Sequence, residues 1–139
     1  MAGEITVAAY KLLDKNTNEG KTLEILEYDF ANDTGAQGTY WLGKFPHKCL
    51  VRNAIVFVET ACTSGGSATV QIGTSTADVD GFMDTTSGAV ANLIDNAVIT
   101  ETAGTNLVVA ADEYIQLVIG TADLTAGKIK VIVEWIEID

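Results

Sequence analysis

Histidine and proline occur once each in this chain, as His47 and Pro46, cysteine occurs twice, and only 8 Lys and Arg stand against 19 Asp and Glu. Each shortage excludes something. Catalysis draws on side chains whose pKa can be brought near neutrality, and a lone His with no Ser or Cys in a nucleophile-elbow setting supplies none. Structural zinc takes four Cys or His ligands, and the chain has three such residues in all. A formal charge of −11 repels nucleic acid and anionic membrane surfaces, whose binding depends on Lys and Arg. The cations are scattered, apart from a candidate Lys44, Lys48 and Arg52 group. No phosphate-cradling loop is present, because Gly65-Gly66 lacks a following Lys-Ser/Thr and helix.

No apolar run approaches the roughly 20 residues of a membrane-crossing helix. The start, Met1-Ala-Gly-Glu-Ile-Thr-Val7, has neither the basic nor the long apolar region of a secretory signal. Synthesis in a cytosol is the expectation. Cys49 and Cys62 suit that compartment: the extended run between them would hold the thiols on the order of 40 Å apart, and a disulfide needs Cα atoms within about 7 Å. Buried free thiols are expected.

What is present is apolar material in short runs. Hydrophobic residues make up 47% of the chain and charged residues 19%, below the roughly 25% of an average globular protein. That deficit fits surface buried against partners, or equally a Thr/Asn-rich β domain. The length suits one core. Residues 1–22 read as an N-terminal arm or edge strand, with Ile5 and Val7 ahead of a polar loop at 14–20, and residues 23–139 as a single domain.

Within that domain Leu23–Phe30 alternates as a strand, and Tyr40, Trp41, Leu42 and Phe45 form a short aromatic segment. Leu50–Glu59 is apolar on both faces, as in a central strand covered on both sides. Ser64-Gly-Gly-Ser67 predicts a hairpin into Ala68–Thr74. Ala89, Val90, Leu93 and Ile94 lie near helical spacing, with Ser87 as candidate N-cap. Short strands are expected at 98–101 and 106–110. Glu113–Gly120 alternates strictly, with Ile115, Leu117 and Ile119 inward, and Ile129–Ile138 closes the chain. The sum is all-β: an antiparallel sandwich of about eight strands with at most one short helix.

Three clusters invite chemistry. Asp78, Asp80 and Asp84 around Gly81 have the spacing of a calcium loop. The closing position, which should be a bidentate Glu, falls on Ser87, so an acidic turn with Phe82 and Met83 in the core is the plainer reading. His47 and Cys49 could share a strand face, but no third orienting group stands near. Tyr40, Trp41 and Trp135 could stack a sugar, although large aromatics in a small sandwich are more often core or interface anchors. No catalytic, cofactor or metal residue is assigned, and the interface residues stay open.

Two blocks carry a resemblance. Ala68-Thr-Val-Gln-Ile-Gly-Thr-Ser75 with Asp78-Val-Asp-Gly-Phe-Met83 is one; Leu107–Gly120 with Thr121-Ala-Asp-Leu-Thr-Ala-Gly-Lys-Ile-Lys-Val-Ile-Val-Glu134 is the other. As an ensemble they resemble capsid decoration, or cement, proteins of tailed bacteriophages. The resemblance implies a β-sandwich or jelly-roll subunit, a homotrimer on the capsid exterior, the major capsid protein as partner, and neither catalysis nor a cofactor. The alternative from another class is a receptor- or glycan-binding module of a head fibre or tail.

Overall fold

The computed structural model describes the backbone of residues 4–12, 21–101 and 105–138, and the side chains of 23–101 and 105–138. Among the described residues nine strands form two sheets: Glu4–Leu12 (β1), Lys21–Asp29 (β2), Gly38–Lys44 (β3), Cys49–Ser64 (β4), Thr69–Thr74 (β5), Val98–Ile99 (β6), Leu107–Val109 (β7), Tyr114–Gly120 (β8) and Leu124–Glu137 (β9). One sheet runs β1-β3-β8-β5 and the other β2-β9-β4-β6, with β7 also on β4. From β2 to β5 successive strands alternate between the sheets, β8 and β9 do so again, and β2-β9-β4-β7 faces β3-β8-β5. This is the winding of a jelly-roll sandwich. Every described pair is antiparallel except β1 with β3, which is parallel.

The inner faces follow from alternation. Leu26 and Tyr28, Val56 and Val58, Val70 and Ile72, Ile115, Leu117 and Ile119, and Val131, Val133 and Trp135 are all at most 2% exposed and form one core. Phe45 meets Trp135 edge-on at 6.1 Å between ring centres. Tyr28 and Tyr40 are wholly buried and meet edge-on at 5.3 Å. Each phenol donates to a backbone carbonyl, of Thr34 and Ala36 respectively. Burial, and then proximity to Tyr40, drives the Tyr28 pKa upward. A one-turn helix, Phe30–Asp33 (α1), joins β2 to β3, with the Asp29 side chain accepting from Ala31 N at 3.0 Å.

Three expectations change. Ser64–Ser67 makes no hairpin: β4 and β5 lie in different sheets, and the Gly65-Gly66 turn carries the chain across the sandwich. The segment near Ser87 keeps one helical turn, a 3-10 turn at Val90–Asn92, but Ser87 does not cap it: extended Ala89 precedes the turn and Ser87 donates its N–H to Asp84 Oδ1. And β4, although central in its sheet, is covered on its inner face alone; Ile55 and Phe57 on the other face are partly exposed.

The connection from β5 to β6 is tied down at both ends. Thr69 bridges Ala89 and Ile72 bridges Met83, which puts Phe82 and Met83 fully in the core. Farther on, Leu93 O accepts from Cys62 N and Ala97 O accepts from Val58 N, each at 2.9 Å, so the segment passes from one sheet to the other. Gly88 makes the crossing tight: a Cβ there would lie 1.7 Å from Val70 O. Gly88→Ala should therefore destabilise the fold by about 3 kcal/mol through forced displacement, lowering the melting midpoint by on the order of 10 °C. Gly65→Ala, where a Cβ meets nothing within 4 Å, should leave the calorimetric melt where it was.

Candidate functional site

The clusters singled out in the sequence do not assemble into reactive centres. Cys49 gives its thiol proton to the backbone carbonyl of His47 at 3.1 Å, while His47 as a residue is exposed. The imidazole is no part of that contact. Cys62, at the far end of β4, is a buried free thiol whose pKa burial pushes up to about 11. A thiol so placed is protonated and inert at neutral pH.

The acidic turn is held by its own backbone. Asp84 Oδ1 accepts from Ser87 N at 2.8 Å, Asp84 N donates to Glu101 Oε2 at 2.9 Å, and Asp78 N donates to Thr74 Oγ1 at 2.9 Å. Desolvation, and then Asp80 beside it, raises the Asp78 pKa. Among the described residues no three His, Cys, Asp or Glu side chains are placed to hold a metal ion.

The aromatic platform also dissolves. Tyr40 and Trp135 are at most 1% exposed. Trp41 lies on the outer face of the four-stranded sheet, stacked on Tyr114 at 4.2 Å with 13° between planes, and Lys44 Nζ sits 5.7 Å over the Tyr114 ring. One face of the indole is thus already occupied.

Sequence reasoning missed Glu113. It is 6% exposed, and its carboxylate accepts from Thr76 N at 3.0 Å, Ala77 N at 2.6 Å and Ala110 N at 3.2 Å. Backbone bonds from Ser75 N to Tyr114 O and from Phe45 N to Glu113 O tie the ends of β3, β5 and β8 to this corner. The signal was available: the alternation that turns Ile115, Leu117 and Ile119 inward turns Glu113 inward too. Its role is architectural.

The surface best suited to an interaction is the outer face of the five-stranded sheet. Ile132 pairs with Ile25 on one side and Ile55 on the other, Phe57 pairs with Val98, and Leu50 pairs with both Ile136 and Val108. Leu23, Ile25, Val98 and Val108 are between 49% and 62% exposed. At one end of this face Lys130 meets Glu59 at 2.6 Å, and Lys128 meets Glu59 at 3.3 Å, Glu27 at 3.6 Å and Asp29 at 3.9 Å. The hydrogen bonds from Lys130 and Lys128 hold the Glu59 carboxyl below its ordinary pKa. Whatever stability it lends is present above the ordinary glutamate value and lost as pH falls through the lowered one. Exposed pairs of this kind contribute little each. Beside them lies an open cleft of about 320 Å³, lined by Phe30, Thr60, Ala126 and Gly127 among others.

No protein-family model matches this chain, and no curated protein sequence does. Solved structures do. A chain of the cyanophage Pam1 capsid asymmetric unit superposes with a TM-score of 0.58 at 12% identity, over 91% of this chain and 92% of that one. A chain of the acid-stable capsid of Helicobacter pylori bacteriophage KHP30 gives 0.60 at 15%, over 84% and 86%. A chain of the capsid of Ralstonia phage GP4 gives 0.59 at 15%, over 91% and 92%. At such identities the likeness is one of fold.

Replacing Glu113 by Ala leaves three N–H donors without their acceptor and should destabilise the protein by about 3 kcal/mol. Glu113→Gln, which keeps one acceptor oxygen, should lose less. Urea midpoints with an unchanged slope would register both; an Ala variant as stable as the parent would show the carboxylate to be dispensable.

Proposed function

We propose that this chain is a structural protein of a bacteriophage virion, a decoration or cement protein that binds the outer surface of the major capsid protein lattice as a homotrimer. The observation that carries the reading is end-to-end fold sharing: nearly the whole of this chain matches nearly the whole of chains in three phage capsid structures. The match spans between 86% and 92% of those chains, so little of them lies outside the shared sandwich. The two sequence blocks that resemble decoration proteins fall on β5 with its crossover and on β7 through β9, the parts that build both sheets. In this reading residues 23–139 are the sandwich domain and residues 1–22 its arm or edge strand.

The chemistry agrees. Glu113, the one buried carboxylate among the described residues, braces backbone donors, and the Cys62 thiol is buried and protonated, so these residues serve folding and contact, not turnover. An excess of carboxylates suits an exterior position, away from the packaged genome. Cementing needs no catalysis. A protein that binds only the assembled lattice stabilises that lattice by mass action, by roughly 2.7 kcal/mol per site at a hundred times its Kd.

Particles that lack this chain should release their genome at a lower temperature than complete ones, by several degrees, and adding back the purified protein should restore the difference. Dye-monitored genome release on heating measures this. Coincident release from both kinds of particle would contradict the cement role.

A further inference from the structure

We propose that the outer face of the five-stranded sheet is where a second copy of this chain packs. The inference deepens the oligomer proposed above and rests on it.

Four of the seven large hydrophobic residues exposed among the described residues, Leu23, Ile25, Val98 and Val108, belong to this one face. Between them run the partly exposed Ile132, Ile55, Phe57, Ile136 and Leu50. They form rows in register across the strands: Ile25, Ile132, Ile55 in one, Phe57 and Val98 in the next, where Lys130 and Glu27 take the places on β9 and β2, and Val108, Leu50, Ile136 toward the other end. Apolar residues scattered singly over a surface need no explanation, but rows continuous over several strands mark a contact. The outer face of the other sheet differs, presenting Thr39, Gln71 and Gln116 with the self-stacked Trp41 and Tyr114.

Charge selects the occupant. Two copies of a chain carrying −11 repel one another wherever their carboxylates meet. On this face Glu27, Asp29, Glu59 and Glu134 are offset by Arg52, Lys128 and Lys130, four negative against three positive, for a net −1. An equally acidic partner can approach here with little repulsion, whereas a basic partner would be drawn to the more acidic remainder. The Lys128, Lys130 and Glu59 cluster stands at one end, where it becomes a solvated rim once the apolar rows are covered. Glu134, which lies between the rows, is already engaged within the chain. Around a three-fold axis, three such faces turned inward would bury their rows against one another in a closed assembly.

The test uses the isolated full-length protein at micromolar concentration in light scattering. The parent should give about three times the 14.7 kDa chain mass. The double variant Ile25→Glu, Ile132→Glu should give the single-chain mass, with self-association weakened at least about 100-fold by carboxylates forced into an apolar contact. Its circular dichroism spectrum should be that of the parent. Ile94→Glu, an exposed apolar residue off this face at 60%, should keep the parent mass. Should the double variant not fold, Val98→Glu on the short β6 must still weaken association. A folded variant with parental mass, or a parent that stays monomeric, overturns the inference. Pelleting with capsids that lack the chain separates the two readings. A variant of unchanged mass that no longer pellets assigns the face to the capsid protein, overturning this inference while the decoration role stands. A parent trimer that never pellets removes the decoration role and leaves this inference in place.

Discussion

The pairing of β4 with β9 is the interaction on which the rest of the structure hangs. It runs from Cys49 beside Glu137 to Ser64 beside Leu124, joining the middle of the chain to its end. Each remaining strand of the five-stranded sheet attaches to one of these two, β2 to β9 and both β6 and β7 to β4. Sequential strands neighbour one another about two-thirds of the time in proteins generally. Here none of the described strands pairs with the strand next to it in sequence. The sandwich is therefore built from long-range contacts, which places it among topologies that fold slowly because loop closure precedes the stabilising pairings.

That ladder also explains the surface. Its inner residues, Val51 opposite Trp135 and Val56 opposite Val131, fill the core, so the period of two sends Ile55, Phe57, Ile132 and Ile136 outward. A sheet with one solvated face would place polar residues there. This one gathers Lys128, Lys130, Glu59, Glu27 and Asp29 toward one end and sets apolar rows over much of the rest, with Glu134 between them, a division into a rim and a contact. Both proposals draw on that division, since a capsid-bound oligomer needs surface to give up.

Where one residue's neighbours decide its fate, the sequence was legible. The alternation of Glu113–Gly120 and the β-branched runs that became β4 and β9 appeared as read, and Cys49 and Cys62 are free and buried. Where a partner distant in sequence decides, it was not. Gly65-Gly66 announces that the chain turns, yet nothing local says to which sheet it returns. The helical spacing at Ala89 to Ile94 is an accident of residues that serve separate neighbours: Ala89 bridges Thr69, Leu93 enters the core and Ile94 faces water. The parallel pairing of β1 with β3 has no sequence signal at all. Apolar residues on both faces of 50–59 were read as burial within the chain, and the structure leaves one face open. The same alternation, followed strictly, would have buried Tyr40 and Trp135 and so removed the sugar platform in advance.

Image reconstruction of intact particles, with and without this protein, tests the central claim most directly. Extra density is expected on the outer surface of the capsid shell in groups of three, each fitted by this two-sheet sandwich with the five-stranded sheets turned toward one another. Difference density confined to the tail or the shell interior, or none, would contradict it.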